Sequence, residues 1–482
     1  MKHATPSRVL EHILDGYQRY YDTAFWIRNP KLLAERSKLL QTPGVMAQTP
    51  LLETVPQYPS VKDIKEACLE AGLSQTTANH LGQVVFGIES IKLRRHQEQA
   101  LVTAIRGSAT SHRNVVVTSG TGSGKTESFL LPLLADILEE RHANLGRGTF
   151  TPWWHEKFTS NQSSWNHLRS SIQGGARPAM RAMVLYPTNA LVEDQISRLR
   201  QAAMRAIDIF GKPLFYFGRY TGATLGGTYQ PQNGLNTNVR KRVNEVAAEI
   251  LKIESEAEKL RSKLLKDGVD GADLKEACSQ FQDPNIGEMI TRWDMISAPP
   301  DILITNTSML NIMLMRDVEA PIFEQTKAWL QSNPKNSFTL VVDELHSYRG
   351  TQGTEVALVV RNMLDRLGLN VNSPQLRCIG TSASLEGEDG KAYLEEFFGV
   401  DRSSFSIFPG EPIKFAGNTE VDLPIAGTQM GSFVGGLLSE DEEEEKQTSL
   451  EVLQQFSPRI ALAKACEIAG QFGDVVRPVK FD

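Results

Sequence analysis

The feature that most constrains the fold is a strand running into a glycine-rich loop and then a helix. Val115-Val116-Val117 leads into Thr118-Ser119-Gly120-Thr121-Gly122-Ser123-Gly124-Lys125-Thr126-Glu127. β-Branched residues favour extended chain. The glycines that follow let consecutive backbone N–H groups turn inward and form a nest for phosphate oxygens. A helix starting near Lys125 adds its positive dipole end. Residues 114–127 are therefore expected to hold a nucleoside triphosphate, with ATP the expected one. Lys125 would reach its β- and γ-phosphates and the Thr126 hydroxyl would ligate Mg²⁺. The pattern GxxxxGK[ST] asks for glycine at position 119, where this chain has Ser119.

From Leu93 to about Phe408 short apolar runs alternate with longer helical ones. They are Val115–Val117, Ala182–Tyr186, Leu214–Tyr216, Ile302–Ile304, Leu340–Val342 and Leu376–Gly380. Continuous apolar strands separated by helices imply an α/β domain whose parallel sheet is covered on both faces. Ligands of such sheets sit at the carboxyl ends of the strands. Residues 1–90 read as a helical N-terminal accessory region, broken by a proline-rich joint from Thr42 through Pro59. The core domain is expected over 91–415, with insertions at about 141–180 and 230–290. The first insertion reads as a surface loop pinned by Trp153, Trp154 and Trp165 rather than as a base-stacking element. In the second, Val239, Val243, Val246, Ile250, Ile253, Ala257, Leu260 and Leu264 form a heptad seam that stops at Gly268. A long helix packing within its own domain is the expected account. Residues 416–482 read as a linker with the acidic run Glu440–Glu445 and an amphipathic helical stretch, Leu450–Phe472.

Phe338–Val342 leads into Asp343-Glu344-Leu345-His346. Adjacent carboxylates at the end of a buried strand are costly unless something cationic sits there. A Mg²⁺ shared with Thr126 supplies that charge, which makes Asp343 the metal-side carboxylate. Glu344 then orients and deprotonates the attacking water.

Composition removes several classes. No stretch of about twenty apolar residues occurs, so no membrane span is expected, and the first residues lack a signal-peptide pattern. Cys68, Cys278, Cys378 and Cys466 form no CxxC pair, so neither a zinc site nor a disulfide framework is expected, and a cytoplasmic setting follows. The net charge of −6 neither supports nor excludes nucleic acid, because a basic groove can sit in a neutral protein.

With these residues in place, the chain resembles the DEAD/DEAH-box helicases of superfamily 2. Asp343-Glu344-Leu345-His346 resembles their motif II, Pro187-Thr188-Asn189-Ala190-Leu191 with Gln195 their motif Ia, Thr305-Asn306 with Met309-Leu310 motif Ib, and Thr381-Ser382-Ala383-Ser384 motif III. Ser119 is a small residue of the kind these proteins commonly carry there. Arg219-Tyr220-Thr221-Gly222 and the run Asp343 to Gly353 are similar to the MrfA/YprA-like group of bacterial DNA helicases, and large helicases of bacterial anti-phage systems have similar stretches. The resemblance covers roughly residues 91–415 and implies a RecA-like P-loop NTPase domain, an ATP-dependent helicase or translocase acting on DNA. It implies that Gln97 reads adenine, that Thr188, Asn189, Thr221, Gly222, Thr305 and Asn306 bind strand phosphates, and that His346, Ser382 and Ser384 couple hydrolysis to strand binding. It also implies a second RecA-like lobe that supplies arginines to the nucleotide. Too few residues follow Phe408 for such a lobe, so low activity of this chain alone is expected. Two further readings stay open: a non-catalytic module using nucleotide as a structural ligand, and an RNA remodeller.

Overall fold

A computed structural model describes residues 6–42, 44–47, 51–52, 58–106, 113–120, 122–142, 149–160, 164–170, 177–227, 231, 235–370, 373–383, 385, 387–411 and 479–480. The chain divides into two units, Met1–Pro56 with Ile413–Asp482, and Gln57–Pro412. In the first, α1 (Pro6–Ala24) is followed by α2 (Pro30–Leu40), and β1 (Leu51–Leu52) pairs antiparallel with β13 (Val479–Lys480). Asn29 caps α2 by accepting from Lys31 N at 3.0 Å, and Pro30 occupies the first helical position, where its missing N–H costs nothing. The acidic run and the stretch 450–472 lie outside the described residues.

The second unit begins with β2 (Ser60–Asp63), α3 (Ile64–Ala71), α4 (Gln75–Phe86), β3 (Lys92–Arg94), α5 (Arg95–Arg106), β4 (Asn114–Thr118) and α6 (Lys125–His142). Next come β5 (Thr149–Phe150), β6 (Arg169–Ser170), β7 (Ala182–Tyr186), α7 (Asn189–Phe210), β8 (Phe217–Tyr220), α8 (Thr237–Lys266), α9 (Gly271–Ser279) and α10 (Arg292–Ser297). It closes with β9 (Ile302–Asn306), α11 (Thr307–Met315), α12 (Ala320–Ser332), β10 (Phe338–Val342), α13 (Gly350–Arg366), β11 (Leu376–Ser382), α14 (Gly387–Phe398) and β12 (Phe405–Pro409). Seven strands form one parallel sheet in the order β12-β4-β11-β10-β7-β9-β8. This is the expected α/β architecture, a parallel sheet with helices on both faces.

The strand sequences explain the two-sided cover. Successive side chains of a strand point to opposite faces. Val115, Val117, Val184, Ile304, Val341 and Ile379 join one buried cluster with α3 to α7. Val116, Met183, Leu185, Leu303, Leu340 and Cys378 join another with α8 and α10 to α14. Each face is apolar, so the strands read as unbroken hydrophobic runs. α4 and α5 both lie against α6, within the unit that begins at Gln57.

One expected strand is displaced. Leu214–Tyr216 is irregular, and the edge strand is Phe217–Tyr220. The Tyr216 main chain is occupied elsewhere: its carbonyl accepts from Asp301 N at 2.8 Å and its N–H donates to Asp301 Oδ2 at 2.8 Å. Gly218 weakens the strand signal of FGRY, yet a Cβ there would lie 2.9 Å from Met289 O, so glycine is what permits the close approach.

The insertions pack inward. Trp153, Trp154 and Trp165 are buried, and Trp153 Nε1 donates to Asp294 at 3.1 Å. Their rings cluster with Trp293 against the first half of α8, where Val239, Val243, Val246 and Ile250 are buried. The second half of the seam, Ile253 to Leu264, is half-buried, and α9 lies against this helix. α8 ends at Lys266, with Gly268 at φ +80.

Candidate nucleotide site

The glycine-rich loop leaves β4, which is paired on one side with β11 and on the other with β12. Gly122 and Gly124 take φ +73 and +78, the left-handed region that side chains disfavour. Ser119 stands where the common pattern has glycine, and its Oγ lies 2.5 Å from Ser123 Oγ, both groups being buried. A Cβ at Gly410 would fall 2.3 Å from Ser119 Cβ, so Gly410 makes the room that Ser119 needs.

The end of β3 and the start of α5 grip the loop from outside through three successive carbonyls. Arg94 Nη1 donates to Gly122 O at 2.8 Å, His96 Nε2 lies 2.8 Å from Ser123 O, and Gln97 Nε2 donates to Gly124 O at 3.2 Å. Burial lowers the His96 pKa, which favours the neutral ring with its proton on Nε2. Gln97 Oε1 accepts from Arg94 N at 3.1 Å. The Gln97 side chain thus touches the loop backbone, and a Cβ on Gly124 would meet it at 2.4 Å. The Arg94 guanidinium lies 5.5 Å above the Tyr58 ring, and Tyr58 is hydrogen-bonded to the Gly120 backbone. Arg198 pairs with Glu127. Thr121 lies outside the described residues.

Two strands away, β10 delivers the acid pair. Asp343 is buried; its N–H donates to Leu185 O at 3.1 Å and its carboxylate accepts from Thr381 Oγ1 and from Glu344 N at 3.0 Å. Burial pushes the Asp343 carboxyl above its usual value, the Thr381 bond opposes this, and the Glu344 charge adds to the rise. Glu344 adopts φ 53 and ψ 47, and is the one non-glycine residue at positive φ among the described residues. Lys125 Nζ lies 3.4 Å from Glu344 Oε1. His346 Nδ1 lies 3.2 Å from Glu344 Oε2 and 3.5 Å from the Ala383 N–H. Protonated there it donates to the carboxylate; unprotonated it accepts from Ala383.

β11 lies between β4 and β10 and touches both. Ser119 N donates to Ser382 O at 3.1 Å, while Thr381 reaches Asp343. Lys125, Asp343, Glu344, His346 and Ser382 therefore meet in one place; Ser384 lies outside the described residues. The expected strand-contacting residues line the same carboxyl end of the sheet. Thr188, Asn189 and Gly222 are exposed. Asn306 caps α11, accepting from Met309 N at 2.7 Å, and donates to Asn189 Oδ1 at 2.6 Å. Thr305 and Thr221 are buried, with the Thr305 hydroxyl donating to Tyr220 O at 2.7 Å and Thr221 N donating to Thr224 Oγ1 at 2.9 Å.

Sequence reasoning passed over Arg94, His96, Tyr58 and Thr381. Arg94 and His96 stand in the same Arg94-Arg95-His96-Gln97 string as Gln97, and a chain that turns into a helix beside the loop offers neighbours as well as Gln97. Thr381 opens the Thr381-Ser382-Ala383-Ser384 run. Tyr58 carries no local signal.

Residues 94–217 match the family model described as DEAD/DEAH box helicase. The chain is 31% identical over 432 residues to Druantia protein DruE of Escherichia coli (strain UMEA 4076-1), covering 83% of this chain and 22% of that one. The chain thus spans about a fifth of the length of this relative. Among solved structures, the DUF1998 helicase MrfA bound to DNA and AMPPNP is 17% identical with a TM-score of 0.38, covering 87% of this chain and 42% of that one. The DEAD-box helicase Mss116 bound to ssRNA and UDP-BeF is 11% identical with a TM-score of 0.39, covering 74% and 47%.

Proposed function

We propose that the chain is the ATP-binding lobe of a DNA helicase or translocase, a reading supported by the match of residues 94–217 to the DEAD/DEAH box helicase family model. The observation that carries this reading is the convergence of Lys125, Asp343 and Glu344 at the ends of strands joined through β11. A phosphate nest, a lysine and two carboxylates at one sheet edge fit hydrolysis of a phosphoanhydride. In this role Lys125 turns from Glu344 to the phosphates. Glu344 is then free to orient the attacking water and take its proton.

The residues present fit a Mg²⁺ ion. Asp343 and Glu344 are neighbouring acids at a buried strand end, the chemistry that a hard cation satisfies, and Thr126 opens α6 on the loop side. Among the described residues no group of three or more His, Cys, Asp or Glu gathers as a metal site. Asp343 and the Thr126 hydroxyl would hold the ion, with phosphate oxygens and water as its other ligands. The ion would neutralise charge that develops on the transferred phosphoryl group.

Thr188, Asn189, Gly222 and Asn306, beside Thr221 and Thr305, line the sheet edge on which one strand of DNA would lie, held by phosphate contacts that carry no sequence preference. Efficient turnover in this reading needs a second RecA-like lobe, in the same polypeptide or in trans, to close over the nucleotide. The test is ATP hydrolysis by the chain with single-stranded DNA or RNA of equal length. Lys125→Ala is expected to abolish nucleotide binding, and Glu344→Gln to retain binding while lowering kcat by at least about 100-fold. Stimulation by RNA alone, or full activity in both variants, would refute the reading.

A further inference from the structure

Glu344 sits in the left-handed backbone region, a conformation that costs energy for any residue with a Cβ and persists only where surrounding structure enforces it. The enforcing contacts lie in the turn that follows. Ser347 N donates to Glu344 O at 2.8 Å and Tyr348 N to Leu345 O at 3.0 Å. The Leu345 side chain fills the space where a Gly380 Cβ would stand, 2.3 Å from Leu345 Cδ1. One side chain from outside the turn spans it. The Tyr393 hydroxyl, on α14, lies 2.7 Å from Tyr348 O and 3.2 Å from Leu345 O. It donates to the first and shares its proton with the second.

Resting on the hydrolysis reading above, we propose that Tyr393 is a positioning residue that locks the turn behind Glu344 and so fixes where its carboxylate points. The ring is itself held in place. Tyr393 packs on Phe397 with centroids 5.9 Å apart, and Phe397 packs on Tyr348 at 5.8 Å. Gly353 lets the turn approach α13, since a Cβ there would stand 2.1 Å from Tyr348 O. α14 follows β11, whose Thr381 and Ser382 touch Asp343 and the phosphate loop. A shift of α14 therefore reaches the water-activating acid through one hydroxyl. The exposed part of the site gives no hint of this link.

Tyr393→Phe removes the hydroxyl and keeps the ring. ATP hydrolysis by the purified chain with DNA is expected to lose tenfold or more in kcat, on the order of the effect of a displaced catalytic group, with KM for ATP unchanged. A second measurement does not depend on hydrolysis. The Tm lost on Tyr393→Phe should shrink when Glu344→Gly is also present, because glycine occupies the left-handed region without enforcement. Unchanged kcat, or a rise in KM with kcat intact, would overturn the proposal, as would additive Tm shifts. Absence of hydrolysis in the unaltered chain even when a second RecA-like lobe is supplied in trans would reject the functional reading instead, leaving the Tm coupling to decide the role of Tyr393.

Discussion

Replacing Asp301 by asparagine removes one buried charge that three arginines share. The Asp301 carboxylate, wholly buried, accepts from Arg141 Nη2 at 2.6 Å and Arg169 Nη2 at 2.9 Å, with Arg181 Nη1 at 3.2 Å and the Tyr216 N–H at 2.8 Å. Arg181 keeps a second partner in Glu140, at 2.6 and 2.9 Å. Arg141 and Arg169 would be left without a carboxylate, and Arg169 is 3% exposed. Removing one partner of a buried ion pair costs about 3–5 kcal/mol, and hydrogen bonds to charged groups contribute about 1.5–3 kcal/mol each but not additively. An expected loss of about 4 kcal/mol is a large share of the roughly 5–15 kcal/mol that holds a domain folded. Urea unfolding followed by tryptophan fluorescence reads it as a fall in midpoint at constant slope.

The pH dependence follows from the same contacts. Burial raises the Asp301 pKa, but Arg141, Arg169 and Arg181 outweigh it and hold the carboxyl well below its ordinary value of 3.8. A lowered native pKa means the stabilisation is complete above 3.8 and is lost as pH falls below it. The gap between wild type and Asp301→Asn should therefore narrow only in that acid range. A loss below about 1 kcal/mol at neutral pH, within the range of a surface pair, would refute the argument that this cage bolts α6, β6 and β7 to the foot of β9.

Asp294 should behave in the opposite sense. Burial pushes it up to about 6, against hydrogen bonds from Thr291, Leu168 and Trp153, so its contribution to stability falls as pH rises from 3.8 to about 6. That is at most roughly 3 kcal/mol, and Asp294→Asn should flatten the slope of urea midpoint against pH in that window. Gly353→Ala places a methyl against the Tyr348 carbonyl, backbone that cannot turn aside; a destabilisation of about 1–3 kcal/mol by urea unfolding is expected, together with slower hydrolysis.

The sheet was legible because its strands are buried on both faces, which leaves unbroken valine, isoleucine and leucine runs. The edge strand Phe217–Tyr220 was misplaced because its Gly218 and Arg219 break that pattern while the apolar Leu214–Tyr216 next to it mimics one. The glycine-rich loop and the acid pair could be picked out because each is a run of contiguous residues. The Asp301 cage was not, since Arg141, Arg169 and Arg181 come from three separate segments and an arginine far from a carboxylate in sequence carries no signal. Tyr393 escaped for the same reason: what it touches is main chain, and carbonyl groups occur at every position. The heptad seam foretold a long helix, but which half would be buried depended on tryptophans about 80 residues earlier.

The position of β4 has a consequence for how the chain is made. Its two sheet neighbours are β11 and β12, and the Asn114 side chain accepts from Cys378 N across a separation of 264 residues. During synthesis the strand that bears the phosphate loop emerges early and waits for partners that are translated far later. Until residue 382 is out both edges of this apolar strand are unpaired, and one stays unpaired until residue 409, a state prone to wrong association. Closing so long a loop is slow. Slowing translation before β11 should lengthen the period in which the nascent chain needs chaperone cover.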